Sequence, residues 1–377
     1  MTQSAARNVL AFCRPPGQDP EVAEWVKRDF TKGDVDRAGE FLARWWRSVP
    51  DVSEEQRSGV GKAWVIADNW RTCHAYPLNS FQVNLRSRAR RVEDGVLVAQ
   101  RLKRMTSVLN KLAREPHMKL SQMQDLGGCR GIFSSVDSVY DTRWMYGGHQ
   151  SLFDTEGTLK CDDYIREPKP DGYRGIHIVG RFAARSEIRE DWNGQRIEVQ
   201  LRTRLQHAFA TAVETVTTFT REPLKFGGGP EKWKRFFSLM GSALAIRENT
   251  EFVPGTPTTR SLLVKELRES ARDLTVKSRL RGWSKALTTL PSRNMAGFKW
   301  LLLALDTEAN TMKVTGYDDR QKASEALTQL EQRKSANLDS VLVWLPSARD
   351  LRKAYPNYYA DTREFIDALD AALKVGA

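Results

Sequence analysis

A chain of 377 residues, 40% hydrophobic and 28% charged, has the composition of a folded globular protein and excludes a disordered or fibrous one. No apolar run approaches a membrane span and residues 1–14 hold no signal-peptide core, so a cytoplasmic protein with no membrane partner is expected. The net charge of +12 attracts polyanions such as nucleotides, RNA or acidic lipids without choosing among them.

Along the chain, residues 1–20 read as irregular. Residues 34–47 read as a helix, with Ala38, Phe41, Leu42 and Trp45 at helical spacing. Residues 53–71 predict a second helix. A third is expected to begin near Asn79 and to end in the basic run Arg86-Ser87-Arg88-Ala89-Arg90-Arg91. That run is a candidate polyphosphate or RNA contact, set against a solvated helix end where cations favour the dipole. Residues 96–103 read as a strand or the approach to a helix, and 106–114 as helix. Strands are expected at 129–136, 174–182 and 195–203, flanked by Gly, Asn and Asp turns. A long helix over 205–220, a break at Gly227-Gly228-Gly229-Pro230 and a helix over 231–247 follow. Val253-Pro254-Gly255-Thr256-Pro257 is the best linker candidate. Beyond it come a helix around Leu263 to Leu274, a hairpin from 300–305 and 312–317, a helix over 322–332, a strand over 340–345 and one or two helices over 348–373, with Asp361 and Glu364 as a capping box. The four cysteines, Cys13, Cys73, Cys129 and Cys161, lie far apart and read as reduced thiols.

Three short runs concentrate the chemistry: Asp125-Leu126-Gly127-Gly128-Cys129-Arg130, Pro168 to His177, and Glu198-Val199-Gln200-Leu201-Arg202-Thr203. In the last, strand alternation puts Ile197, Val199 and Leu201 on one face and Glu198, Gln200 and Arg202 on the other. This is a site on a sheet or an ordinary solvated face. If the strand beginning at Cys129 lies beside it, Asp125 and Glu198 meet at one edge. Two carboxylates with substrate phosphates make the usual oxygen shell of Mg²⁺; otherwise Asp125 is a turn residue bonding its own backbone. Lys103, Ser107 and Lys111 are spaced four apart and share one helical face if the helix starts early, with Arg101 just upstream. In the second run a Tyr beside a glycine turn, Tyr173, suits stacking on a base, and His177 suits a phosphate; the alternative is a hairpin with a surface Tyr.

In this order the three runs resemble the synthetase domain of the RelA/SpoT family over roughly residues 96–220. The resemblance implies an α+β fold with a nucleotidyltransferase-like mixed β-sheet flanked by helices. It also implies transfer of pyrophosphate from ATP to the ribose 3′-hydroxyl of GDP or GTP, giving guanosine tetra- or pentaphosphate, as a small alarmone synthetase does. Carried over by motif, Arg101, Lys103, Ser107, Lys111 and Arg130 resemble the ATP-phosphate group, and Asp125 the magnesium ligand. Lys169 and His177 resemble contacts to acceptor phosphate, and Tyr173 the stacking tyrosine. Glu198 resembles the second acidic residue, as metal partner or general base, with Gln200 and Arg202 completing the acceptor motif. One departure concerns the helix after Glu198: many relatives have an acidic residue where Ala210 leads here to Thr211, with Glu214 nearby. None of the five histidines is followed by Asp, so the His-Asp hydrolase of long family members is not expected.

The domain organisation expected is an N-terminal helical region over 1–75, the synthetase domain over 76–250, a linker over 251–260 and a smaller C-terminal α+β domain over 261–377. The same residues allow two further functions. One is a toxic relative, in toxin–antitoxin fashion, that pyrophosphorylates the tRNA 3′ end or adenosine nucleotides and is restrained by its C-terminal domain. The other is a nucleotide sensor without catalysis. The C-terminal domain offers a surface for a second copy of the chain or for a protein or phage-derived regulator.

Overall fold

The computed structural model describes residues 25–47, 54–147, 160–184, 186–220, 231–286, 298, 300–306, 311–332, 338–344 and 362–374. Residues 1–20 with Cys13, the Gly227 to Pro230 break and all of 348–361, Asp361 included, lie outside them. Three helices come first: α1 (Lys32–Arg47), α2 (Glu54–Thr72) and α3 (Ala75–Val92). The centre is a mixed sheet of β1 (Leu97–Leu102), β2 (Gly127–Phe133), β3 (Lys160–Asp163), β4 (Ile176–Arg181) and β5 (Arg196–Thr203), ordered β1-β2-β5-β4-β3. β2 and β5 run parallel; the other three contacts are antiparallel. Between these strands lie α4 (Met105–Arg114) and α5 (Val136–Gly147).

The alternation of β5 decides which way the sheet faces. Ile197, Val199 and Leu201 are fully buried, while Glu198 and Gln200 between them are half-buried. The apolar face is covered by α3, which buries Leu78, Phe81, Leu85 and Ala89 at helical spacing. A Cβ on Gly127 would meet Ile197 Cδ1 at 2.7 Å and Leu78 Cβ at 3.5 Å, so glycine lets β2 close under the helix. The strand expected from Cys129 accordingly starts two residues earlier.

A second apolar cluster joins α6 (Arg204–Thr220) and α7 (Glu231–Glu248) to α8 (Arg260–Asp273), α9 (Val276–Ala286) and the last helix, α11 (Arg363–Lys374). Phe209, Phe236 and Phe237 pack there with Leu263, Leu267, Phe365 and Leu369. Residues 251–260 run as a tight turn on α7: the Val253 N–H donates to Ser242 Oγ at 2.9 Å, and Ser242 Oγ shares a 2.6 Å hydrogen bond with Thr256 Oγ1. A small antiparallel sheet of β6 (Trp300–Asp306), β7 (Thr311–Tyr317) and β8 (Leu338–Trp344), ordered β7-β6-β8, packs with α10 (Arg320–Gln332). Ala323 and Leu327 of that helix are buried.

Further boundaries differ from the sequence reading: the strand expected over 129–136 ends at Phe133, and Val136 opens α5. The third helix begins at Ala75, not near Asn79, because Pro77 falls in the first turn, where a missing N–H costs nothing. Residues 97–102 are strand, and α4 starts at Met105 after an extended Arg104 (ψ 144°). Lys103 is therefore outside the helix and does not share its face with Ser107 and Lys111. Cys73, Cys129 and Cys161 are free thiols.

Candidate active site

The face of the sheet opposite α3 is polar. Residues directly opposite on neighbouring strands project to the same side. Register thus puts Arg101, Gly128 and Glu198 in one row. Arg130, Gln200, His177 and Asp162 form the next.

At one corner two lysines close on a carboxylate. Lys103 Nζ lies 2.8 Å from Asp125 Oδ2, and Lys111 Nζ 3.2 Å from Asp125 Oδ1. The Lys103 N–H also donates to Leu126 O at 2.7 Å, which holds the end of β1 against the start of β2. Ser107 stands one turn before Lys111 on α4, half-buried. Burial pushes the Asp125 carboxyl up, but the two ammonium groups outweigh it and hold the carboxyl at about 2. Burial drives Lys103 below its usual value, against the pull of Asp125.

At the other corner a hydrogen-bonded chain runs along the sheet. Gln200 Nε2 donates to Glu198 Oε2 at 2.6 Å, and Arg202 Nη2 donates to Gln200 Oε1 at 2.8 Å. His177 Nδ1 lies 2.8 Å from Glu198 Oε1, and His177 Nε2 meets the Tyr173 hydroxyl. One proton assignment satisfies both contacts: Nδ1–H donates to Glu198 and the Tyr173 O–H donates to Nε2. Burial raises Glu198, while His177 and Gln200 lower it further, for a net shift below the usual carboxylate range. The charge of Asp125 is also felt at Glu198, so the two carboxylates are electrostatic neighbours. Burial pushes the Tyr173 hydroxyl up to about 12. The Tyr173 ring already carries two cations, the Arg202 guanidinium at 5.0 Å and Lys169 Nζ at 5.3 Å.

The turn presenting Lys169 and Tyr173 is built on glycine. The Gly172 N–H donates to Lys169 O at 2.8 Å, and Gly172 has φ +87°. A Cβ there would stand 2.4 Å from Phe237 O.

Carboxylate oxygens are the donors Mg²⁺ takes alongside substrate phosphates, and that ion needs only one or two of them. Asp125 and Glu198 fit that requirement. Among the described residues no group of three or more His, Cys, Asp or Glu could hold a metal ion.

The model for the region found in RelA/SpoT proteins matches residues 100–221. This segment is a RelA/SpoT region. The chain is similar to GTP pyrophosphokinase YwaC of Bacillus subtilis, 30% identical over 109 residues, which are 27% of this chain and 49% of that protein. It is also similar to GTP pyrophosphokinase YjbM of the same organism, 30% identical over 142 residues, 36% of this chain and 61% of that protein. The matches thus span about half to three-fifths of these relatives' own length. Among solved structures, small alarmone synthetase 1 from Bacillus subtilis bound to its product pppGpp has a TM-score of 0.39 at 23% identity, over 47% of this chain and 89% of that one. Small alarmone synthetase 2 from the same organism has a TM-score of 0.41 at 19% identity, over 48% and 94%.

The site residues of the three motifs and of the Arg101 to Lys111 group lie inside the RelA/SpoT region, and the fold gathers them on or beside one sheet face. Several neighbours escaped the sequence reading. Tyr164 stands edge-on to Tyr173 and His177, with Lys169 over its ring at 4.2 Å. The signal available was an aromatic at the end of a short polar strand, just ahead of Pro168. Arg174 is 1% exposed and bonds Ile165 O, Gly241 O, Thr250 Oγ1 and Glu251 O. Three of these partners lie outside the RelA/SpoT region, so no local pattern could reveal them. After the Glu198 motif, Thr211 is buried and bonds His207 O within α6. A carboxylate instead reaches the start of α6 from α7: Glu248 accepts from Gln206 Nε2 at 2.8 Å and from Thr203 Oγ1.

The basic run at the end of α3 is not at this site. Arg88 bonds Asn84 and Met145 O and lies 4.8 Å over the Tyr146 ring. Arg90 and Arg91 are exposed in the last turn of a helix that covers the apolar face.

Proposed function

We propose that this protein is an ATP-dependent pyrophosphokinase, a small alarmone synthetase, that makes (p)ppGpp from ATP and GDP or GTP. The observation that carries the reading is the juxtaposition on one sheet face, inside a RelA/SpoT region, of a lysine-clamped Asp125 and a hydrogen-bonded Glu198–His177–Tyr173 chain. The names of the relatives, both GTP pyrophosphokinases, point the same way.

In the reaction the acceptor's 3′-oxygen bonds the β-phosphorus of ATP. The bond from that phosphorus to the α,β-bridging oxygen breaks, and AMP leaves with the electron pair. Charge develops on phosphate oxygens, which cations stabilise. Lys103, Lys111, Arg101 and Arg130, with the Ser107 hydroxyl, are the ATP-phosphate group. Asp125, with Glu198 near it, would hold Mg²⁺. When bound, that ion neutralises phosphate charge and orients the transferred group. Glu198 is ionised at neutral pH and takes the proton of the 3′-hydroxyl. Tyr173 carries the acceptor base, and Lys169, His177, Gln200 and Arg202 line the acceptor side. With no His-Asp doublet in the chain, the enzyme makes alarmone and does not hydrolyse it. We place it in the cytoplasm, where these nucleotides are; among the described residues no helix is long and apolar enough to cross a membrane.

The test is incubation of the full chain with β-labelled ATP and Mg²⁺, in parallel with GDP, GTP, AMP, ADP and deacylated tRNA. Label on GDP or GTP is expected. Label on tRNA or an adenosine nucleotide alone would overturn the acceptor and make the chain a toxin-like relative restrained by residues 261–377. Binding of ATP without transfer to any acceptor would make it a sensor.

A further inference from the structure

Lys169, one of the two cations over the proposed base-stacking tyrosine, has no carboxylate partner among the described residues. Its ammonium rests on aromatic faces instead: 4.2 Å from the Tyr164 ring centre and 5.3 Å from that of Tyr173. A cation–π contact fixes an ammonium without a carboxylate and leaves N–H capacity and charge for an incoming anion. Tyr164 is the closer of the two rings and is itself well anchored. Its N–H donates to Gly175 O at 3.0 Å, at the entry to β4. Its ring meets Tyr173 edge-on at 5.9 Å and His177 at 5.3 Å. Burial, then the charge of Asp162 and a hydrogen bond to it, push its hydroxyl above the usual tyrosine value, so the phenol stays neutral. The cation is thus the nearest of the Tyr164 ring's three neighbours, at 4.2 Å against 5.3 and 5.9 Å for the two rings.

Resting on the acceptor reading above, we propose that Tyr164 is a positioning residue that seats Lys169 and so sets the preference for a 5′-phosphorylated acceptor over the bare nucleoside. It touches no reacting atom. Its contribution enters through the ammonium it carries, and the ring rather than the hydroxyl does the seating.

The experiment compares the full-length wild type, Tyr164→Leu and Tyr164→Phe with GDP and with guanosine as acceptors. It measures KM and kcat for transfer, and Kd for each nucleoside and for ATP by calorimetry. Losing a partly desolvated cation–π contact raises the KM and Kd for GDP about tenfold in Tyr164→Leu. ATP affinity and guanosine use stay at wild-type values, so the GDP-over-guanosine ratio falls about tenfold. Tyr164→Phe keeps the face and stays close to wild type. Equal losses on GDP and guanosine would show that the ring only supports the fold, and unchanged GDP kinetics would show that Lys169 needs no seat; either overturns the proposal. If the wild type binds GDP without transferring to it, the chemistry assigned above is wrong, while the Kd ratios still decide the role of Tyr164. A wild type that binds neither GDP nor ATP removes the acceptor reading and this inference together.

Discussion

Asp125 is the residue on which the corner with Lys103 and Lys111 depends. Its carboxyl is held at about 2, against an ordinary 3.8, so the Asp125–lysine contacts stabilise the fold fully above about pH 4 and fail as pH falls toward 2. The shift corresponds to at most about 2.5 kcal/mol for a side chain this well covered. Denaturant melts across that window should show the loss in the wild type and a flatter profile in Asp125→Asn. In the transfer assay, Asp125→Asn and Glu198→Gln should each lower kcat at least about 100-fold while circular dichroism stays native. Wild-type turnover in either folded variant would refute its role. Arg174 belongs to structure rather than chemistry. Burial lowers its guanidinium to about 10, and removing the side chain strands carbonyls of Ile165, Gly241 and Glu251. Arg174→Met should cost about 3 kcal/mol in urea unfolding.

Between elements, the decisive contact is the crossing of the 169–172 turn and α7. A Cβ on Gly241 would meet Gly172 Cα at 2.7 Å and its oxygen at 2.8 Å, and Ser238 Oγ donates to Pro170 O at 2.5 Å. The turn thus takes its position from a helix outside the RelA/SpoT region. Gly241→Ala must push the turn off α7, at about 1–3 kcal/mol of overpacking. The expected outcome is a raised KM for the acceptor with an unchanged KM for ATP, because Lys103, Lys111 and Asp125 do not touch that crossing. A variant losing ATP and acceptor affinity equally would show that the two corners are not independent.

For the whole molecule, the second apolar cluster ties the C-terminal helices to α6 and α7. Leu263, Leu267, Leu280, Phe365 and Leu369 are each 0% exposed, packed with Phe209, Phe236 and Phe237 of α6 and α7. Burying such a side chain is worth about 1.5–3 kcal/mol, so the five together supply about 10 kcal/mol, comparable with the stability of an entire domain. A chain cut after residue 257 should therefore lose its cooperative melt and bind a hydrophobic dye. A sharp, wild-type-like transition in that fragment would show that α6 and α7 fold without α8, α9 and α11.

The sequence by itself determined the polar face. Strand alternation needs only local order, so Glu198, Gln200 and Arg202 were separable from Ile197, Val199 and Leu201 before any fold was known. The three runs holding Asp125, the Lys169 to His177 turn and Glu198 were equally legible, because their residue types and order carry the resemblance. What tertiary structure alone decided was pairing. That Lys103 reaches Asp125 from outside a helix depends on β1 lying antiparallel to β2. That Asp125 stands near Glu198 depends on the parallel pairing of β2 with β5. That Arg174 is buried, Glu248 reaches the start of α6 and Gly241 sets the 169–172 turn depends on α7 returning to the sheet from dozens of residues away. Such contacts leave no periodicity in the chain: each is fixed by the packing of distant surfaces, and a local pattern records only the face a residue occupies, not what arrives to meet it.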